Sequence, residues 1–152
     1  METAKRILVV DDDRALTELL EMLLADAGYR VSIARNGRDA IAMAVADPPD
    51  LIVLDILMPD MDGWETSDHL LSHERTAKIP ILFLTARVAP DDQLRGWYRG
   101  CFDYLTKPFD IQELLEKVGQ AVAPPSPEIE VLKQQLRQQR IAALEQIVAE
   151  AE

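Results

Sequence analysis

Short apolar runs recur through the first two thirds of the chain at 7–10, 31–34, 51–54 and 79–84, with a weaker fifth at 103–106. They are rich in Val, Ile and Leu and barely alternate with polar residues, the pattern of strands buried on both faces of a parallel sheet. Parallel neighbours need long crossovers, and helical patterns fill the gaps. Leu16, Leu19, Leu20, Leu23, Leu24 and Ala27 recur at spacings of three and four, closed by Gly28. Asn36 is placed to cap a helix over 37–46 that Pro48 and Pro49 terminate, and 64–73, 91–100 and 111–121 supply three more. The implied fold class is α/β, a doubly wound five-stranded parallel sheet of the (βα)5 type. Right-handed crossovers put helices on both faces and a site outside the carboxyl ends of the strands.

A chain of 152 residues, 48% hydrophobic and 28% charged, suits one globular domain. With 27 acidic residues against 16 basic ones, the net charge is −11. Such a surface repels phosphate backbones and anionic lipid, so neither direct nucleic-acid binding nor membrane association is expected. The single cysteine, Cys101, excludes an intramolecular disulfide and a cysteine-based zinc cluster, and in its apolar context it reads as an inert buried thiol. No apolar run approaches the roughly 18–20 residues of a membrane span. The expected location is the cytoplasm.

The strand ends carry the chemistry. The first strand runs into Asp11, Asp12 and Asp13, the third ends at Asp55, the fourth at Thr85, and the fifth leads into Lys107-Pro108. Any one acidic residue after a strand is ordinarily a turn or cap, but parallel strands bring all these ends to the same edge. Clustered carboxylates are tolerated around a hard divalent cation such as Mg²⁺. A hydroxyl and an ammonium opposite them complete a clamp for a phosphoryl group, with Asp55 as the central nucleophile.

In ILVVDDD, DLIVLDILMPDMDG, ILFLTA and DYLTKPF, in that order and with Lys107 following Asp55 by 52 positions, residues 4–123 resemble the receiver domain of two-component response regulators. The resemblance implies a flavodoxin-like strand order 2-1-3-4-5 and phosphotransfer to Asp55 from a sensor histidine kinase or phosphotransfer protein. It implies that Asp12, Asp55 and the backbone carbonyl of Leu57 ligate Mg²⁺ directly, with Asp11 helping through water. Lys107 would pair with the phosphoryl oxygens, Thr85 would hydrogen-bond to them, and Tyr104 would swing inward as Thr85 moves. Lys107-Pro108 is expected to be cis, and Asp13 matches no ligand position. The module is a phosphoacceptor that assists its own chemistry, not an enzyme acting on a separate substrate. Asp11 and Asp13 also form the DxD pair of haloacid-dehalogenase-like phosphatases, but Ala15 stands where those need Thr or Val, and Asp55 and Lys107 are then unexplained. A scaffold that had lost phosphorylation would not need Asp55, Thr85 and Lys107 together.

Trp97-Tyr98 and Cys101-Phe102 depart from the family's usual residues and would make the helix 4–strand 5–helix 5 face stickier, although two neighbouring aromatics are more often packing than a partner site. His69 and His73 lie one turn apart without a third ligand and read as solvated helix residues. The expected organisation is a receiver domain over 1–123, a proline break at 124–127, and a C-terminal extended helix over 128–152, about 36 Å long. With no recognisable output domain within these residues, the helix reads either as the tail of a stand-alone regulator that packs on a partner or as a parallel coiled coil that leads on to an output domain. Along that helix Ile129, Leu132 and Leu136 form one stripe and Ile141, Leu144, Val148 and Ala151 another, with Arg140 where a heptad wants an apolar residue. A homodimer is expected, through a coiled coil of this helix, with antiparallel pairing favoured by its charges, or through the helix 4–strand 5–helix 5 face.

Overall fold

The computed structural model describes residues 3–86 and 89–151. Among them the order is β1 (Arg6–Val10), α1 (Arg14–Asp26), β2 (Arg30–Ala34), α2 (Gly37–Ala46), β3 (Leu51–Asp55), α3 (Gly63–Ser72), β4 (Ile81–Thr85), α4 (Pro90–Tyr98), β5 (Asp103–Thr106), α5 (Ile111–Val122) and α6 (Pro127–Ala151). All neighbouring strands are parallel, in the order β2-β1-β3-β4-β5. The flavodoxin-like arrangement is therefore present. None of the described helices is long and apolar enough to cross a membrane.

Successive strand residues point to opposite faces, and the core divides accordingly. Ile7, Val9, Leu51, Val53, Leu82, Leu84 and Leu105 pack against Leu20 and Leu24 of α1 and Leu114 and Val118 of α5. Leu8, Val10, Ile52, Leu54 and Phe83 pack against Trp64 and Leu70 of α3, Leu94 and Trp97 of α4, and Leu144 of α6. Four helices begin with an acidic or amide cap: Asp13 accepts from Leu16 N, Asn36 from Asp39 N, Asp62 from Glu65 N and Asp110 from Gln112 N. That explains Asp13, which is a cap and lies outside the acidic pocket proper.

Two strand expectations need correction. β2 is not buried on both faces, because it is an edge strand whose Arg30 and Ser32 are exposed while Val31 and Ile33 are half-buried. β4 begins at Ile81, since Pro80 offers no amide to the ladder.

The C-terminal helix does not project away from the domain. Ile141, Leu144 and Val148 pack against the core on the α4 side, and Leu144 is the one buried residue of α6. The second apolar stripe is thus used within the chain, and only the first remains for another molecule. Ile129, Leu132 and Leu136 are each about half exposed, as is Ile147. Arg140 fits its position because it pairs with Asp103, which also pairs with Lys117 of α5.

Candidate functional site: an acidic pocket at the strand ends

β1 and β3 are adjacent and in register, with Val10 opposite Leu54, so the residues that follow, Asp11 and Asp55, emerge side by side. Both are buried, at 1% and 4% exposure, while Asp12 is exposed. The nearest carboxylate oxygens of Asp11, Asp12 and Asp55 all lie within 4.8 Å of one another. β4 delivers Thr85 next to β3, buried at 3%. The Thr85 carbonyl accepts from the Lys107 amide at 2.6 Å, holding the β5–α5 turn with its cis Lys107-Pro108 peptide over the same edge. The Lys107 ammonium donates to Asp11 Oδ2 at 2.9 Å and lies 3.4 Å from Asp55 Oδ1. Every charged residue expected at the site is therefore gathered there.

Burial raises the Asp55 carboxyl to about 6, and the neighbouring Asp11 charge adds to the rise; Lys107 and the Leu57 amide oppose it. Burial would depress the Lys107 ammonium, but its bonds to Asp11 and Asp55 outweigh that, and its net shift is upward. Three carboxylates against one ammonium leave the pocket short of positive charge. The donors are all oxygens, which select a hard cation over zinc or copper. Opposite ligands of an octahedral Mg²⁺ stand about 4.2 Å apart, close to the spread of these oxygens. The donor set fits such an ion.

Leu57 lies two residues past Asp55 with its side chain 70% exposed, so its value to the site is its backbone. The loop is kept tight by Gly63, whose amide donates to the Ile56 carbonyl; a Cβ there would stand 2.5 Å from the Asp55 carbonyl. Sequence reading passed over this glycine, although the MDG triplet before a helix was the signal.

Tyr104 is inward. Its ring stacks on Phe83 at 5.5 Å and meets Trp97 edge-on at 5.9 Å, and its hydroxyl donates to the Gln93 carbonyl at 2.8 Å. Gly96 makes this possible, because a Cβ on that helical residue would overlap the hydroxyl. Trp97 and Tyr98, adjacent in sequence, separate in space. Trp97 is core at 4% exposure, whereas Tyr98 is 62% exposed with its hydroxyl on Glu145 of α6. Cys101 is buried, and burial raises its thiol to about 12, as expected of an inert side chain. His69 and His73 are exposed. A cleft of about 620 Å³ lies away from this chemistry, between α6 and the amino ends of β4 and β5.

A five-stranded parallel sheet in this order, with an acidic triad, a threonine and a lysine over its carboxyl edge, defines a phosphorylation-dependent signalling module. A family model described as "response regulator receiver domain" matches residues 7–119, and the chain belongs to that family. It is 46% identical over 113 residues to the "DNA-binding dual master transcriptional regulator RpaA" of Synechocystis sp., covering 74% of this chain and 47% of that protein. The chain thus spans about half the length of that curated relative. Among solved structures it resembles a putative response regulator from Chloroflexus aurantiacus J-10-fl, at 36% identity and a TM-score of 0.75, covering 80% of this chain and all of that one. It also resembles the receiver domain of the sensor histidine kinase PA1611 from Pseudomonas aeruginosa PAO1, a structure with a magnesium ion coordinated in its active-site cleft. That match has 29% identity and a TM-score of 0.72, over 79% of this chain and 98% of that one.

Proposed function

We propose that Asp55 accepts a phosphoryl group from a phosphohistidine on a sensor histidine kinase or phosphotransfer protein. The observation that carries this reading is the buried Asp55 carboxylate at the end of a central strand, flanked by Asp11, Asp12 and Lys107. A carboxylate oxygen of Asp55 attacks phosphorus as the phosphorus–nitrogen bond to histidine breaks, giving an acyl phosphate on the chain and a neutral imidazole on the donor. Lys107 neutralises phosphoryl oxygens, and Thr85 donates its hydroxyl to one of them. Asp12, Asp55 and the Leu57 carbonyl would hold Mg²⁺, with Asp11 assisting through water, and the ion would offset phosphoryl charge. A charge-assisted bond to Thr85 contributes about 1.5–3 kcal/mol, enough to bias a two-state loop and, through Tyr104, the α4–β5 surface.

On this reading residues 1–123 work as a cytoplasmic receiver and phosphoacceptor, not as an enzyme on a separate substrate. Residues 124–127 are a break before the appended helix 128–152. The net charge of −11 argues against direct DNA contact by this chain, whatever the longer relatives do. The exposed stripe Ile129, Leu132, Leu136 and Ile147 supports a homodimer through a flank of α6 beside the side that packs on the core.

Incubation with acetyl phosphate and Mg²⁺ should add one phosphoryl group to the intact mass, and a chelator should suppress it. Asp55→Asn should abolish the addition. Undiminished labelling of that variant refutes the assignment.

A further inference from the structure

We infer that α6 is a built-in ligand of the α4–β5 face, and that its seating is coupled through Trp97 and Tyr104 to the loading of Asp55, so that docked α6 favours the loaded domain. The link to Asp55 rests on the phosphoacceptor reading above; the contact of α6 with Trp97, and of Trp97 with Tyr104, does not.

The seating is specific. The Arg137 guanidinium donates to the carbonyl of Trp97 and, at 2.8 Å, to that of Cys101. These carbonyls lie at and just beyond the carboxyl end of α4, where the negative end of the helix dipole favours a cation; that of Trp97 also accepts from the Gly100 amide. Ile141, Leu144 and Val148 follow on the same side of α6 at helical spacing and pack against the core. Tyr98 donates to Glu145 at 2.8 Å, and Arg140 pairs with Asp103 at 2.9 Å. The spacing Arg-x3-Ile-x2-Leu-Glu-x2-Val is a docking pattern written for this surface.

From there the contacts run inward without a break. Arg137 and Arg140 lie over the Trp97 ring at 5.4 and 5.6 Å, Trp97 meets Tyr104, and Tyr104 stacks on Phe83, two residues before Thr85 on β4. Trp97 is the wall that keeps Tyr104 inward, and α6 backs that wall. Drawing Thr85 toward a loaded Asp55 opens volume that an inward Tyr104 fills. Seated α6 and loaded Asp55 therefore lie on the same side of one equilibrium, and linkage makes the effect reciprocal. The seat is also reversible in design. Leu144 is the one buried side chain of α6 and is still 8% exposed, and among the described residues Trp97 Nε1 is a buried donor without a partner, a cost that the folded chain carries.

The test uses the full chain with Arg137→Glu, which places a carboxylate against those carbonyls, and Gln135→Ala on the far side of α6 as control. In the free protein, Arg137→Glu should speed amide hydrogen exchange over 137–148 and also over 95–104, and should red-shift Trp97 emission; the control should do neither. With Mg²⁺, beryllofluoride should bind Arg137→Glu about fivefold more weakly than wild type, within the usual range of coupling. Saturating beryllofluoride should slow exchange over 137–148 in wild type by a similar factor. Unchanged exchange over 95–104 and unchanged emission in the variant overturn the coupling and leave α6 an appendage. Equal beryllofluoride affinity overturns the link to Asp55, and tighter binding by Arg137→Glu, or faster α6 exchange on loading, overturns its sign. If wild type binds no beryllofluoride at all, the phosphoacceptor reading fails instead, and the free-protein exchange still decides whether seated α6 steadies residues 95–104.

Discussion

The carboxyl edge of the sheet and the C-terminal helix are built on opposite plans. At the edge, residues 11, 12, 55, 85 and 107 come from four strands and are fixed by strand register, with three of them at most 4% exposed. Over α4, a helix of 25 residues is held by one buried leucine, by the half-buried Ile141 and Val148, and by a few polar bonds made by exposed or half-exposed side chains. A pocket that gathers several charges within a few ångströms tolerates little play, whereas a helix with one buried side chain can be displaced at small cost. The difference separates a rigid charged pocket from a lightly seated helix.

Four measurements can break or sharpen that contrast. Gly96→Ala drives a methyl into the Tyr104 hydroxyl and should cost about 3 kcal/mol in urea unfolding, the upper end for overpacking. In a Tyr104→Ala background the same change should become nearly neutral. Persistence of the cost would mean that something other than the ring sets the need for glycine.

Asp55→Asn should stabilise the metal-free protein by about 2 kcal/mol at pH 7.5, because an ionised carboxylate has been desolvated beside Asp11. The sign follows from a folded carboxyl titrating near 6 against 3.8 unfolded. Below pH 4 both states are protonated and the burial is harmless; between 4 and 6 the unfolded chain loses its proton first, and wild type loses stability relative to the amide. The gap in denaturation midpoint between the two proteins should therefore close as pH falls through 6 to 4. A gap constant over that range contradicts the raised carboxyl.

Leu144→Ala removes the one anchored side chain of α6 and should cost about 1–2 kcal/mol, below the range for a deep core leucine. Acetyl phosphate labelling of Asp55 should persist. Leu132→Gln on the exposed stripe should change stability by less than about 0.5 kcal/mol yet lower the mass seen by light scattering at equal concentration. A fixed mass would remove the outer stripe from any interface.

Much of the edge was legible because its chemistry depends on residue type and parallel geometry, both visible in the sequence. Asp11, Asp55, Thr85 and Lys107 needed only the inference that all the strands point the same way. The alternation of β2 was missed because Val31-Ser32-Ile33-Ala34 reads as apolar unless the strand is known to lie at the sheet's rim. Pro80 was read into β4 although it cannot donate to a neighbour. The tail was misread more deeply. Arg140 interrupts the apolar spacing and so resembled a defect in a seam, but it is matched to Asp103, as Arg137 is to two backbone carbonyls. Backbone acceptors carry no signature in the sequence, so periodicity alone could not reveal that the helix returns to its own domain. Trp97 and Tyr98 looked like one sticky pair because adjacency in the chain hides the roughly 100° turn between successive helical residues.

Asp103 lies between two helices that answer to different forces. It pairs with Lys117 of α5, where both side chains are less than a fifth exposed, and with Arg140 of α6, which is 56% exposed. At about 0.1 M ionic strength the screening length is about 10 Å, and exposed pairs fade before sheltered ones. Raising salt should therefore release the tail's grip while leaving α5 and the strand ends in place. The surrounding electrolyte would then act on the helix as a second input, beside the loading of Asp55 inferred above.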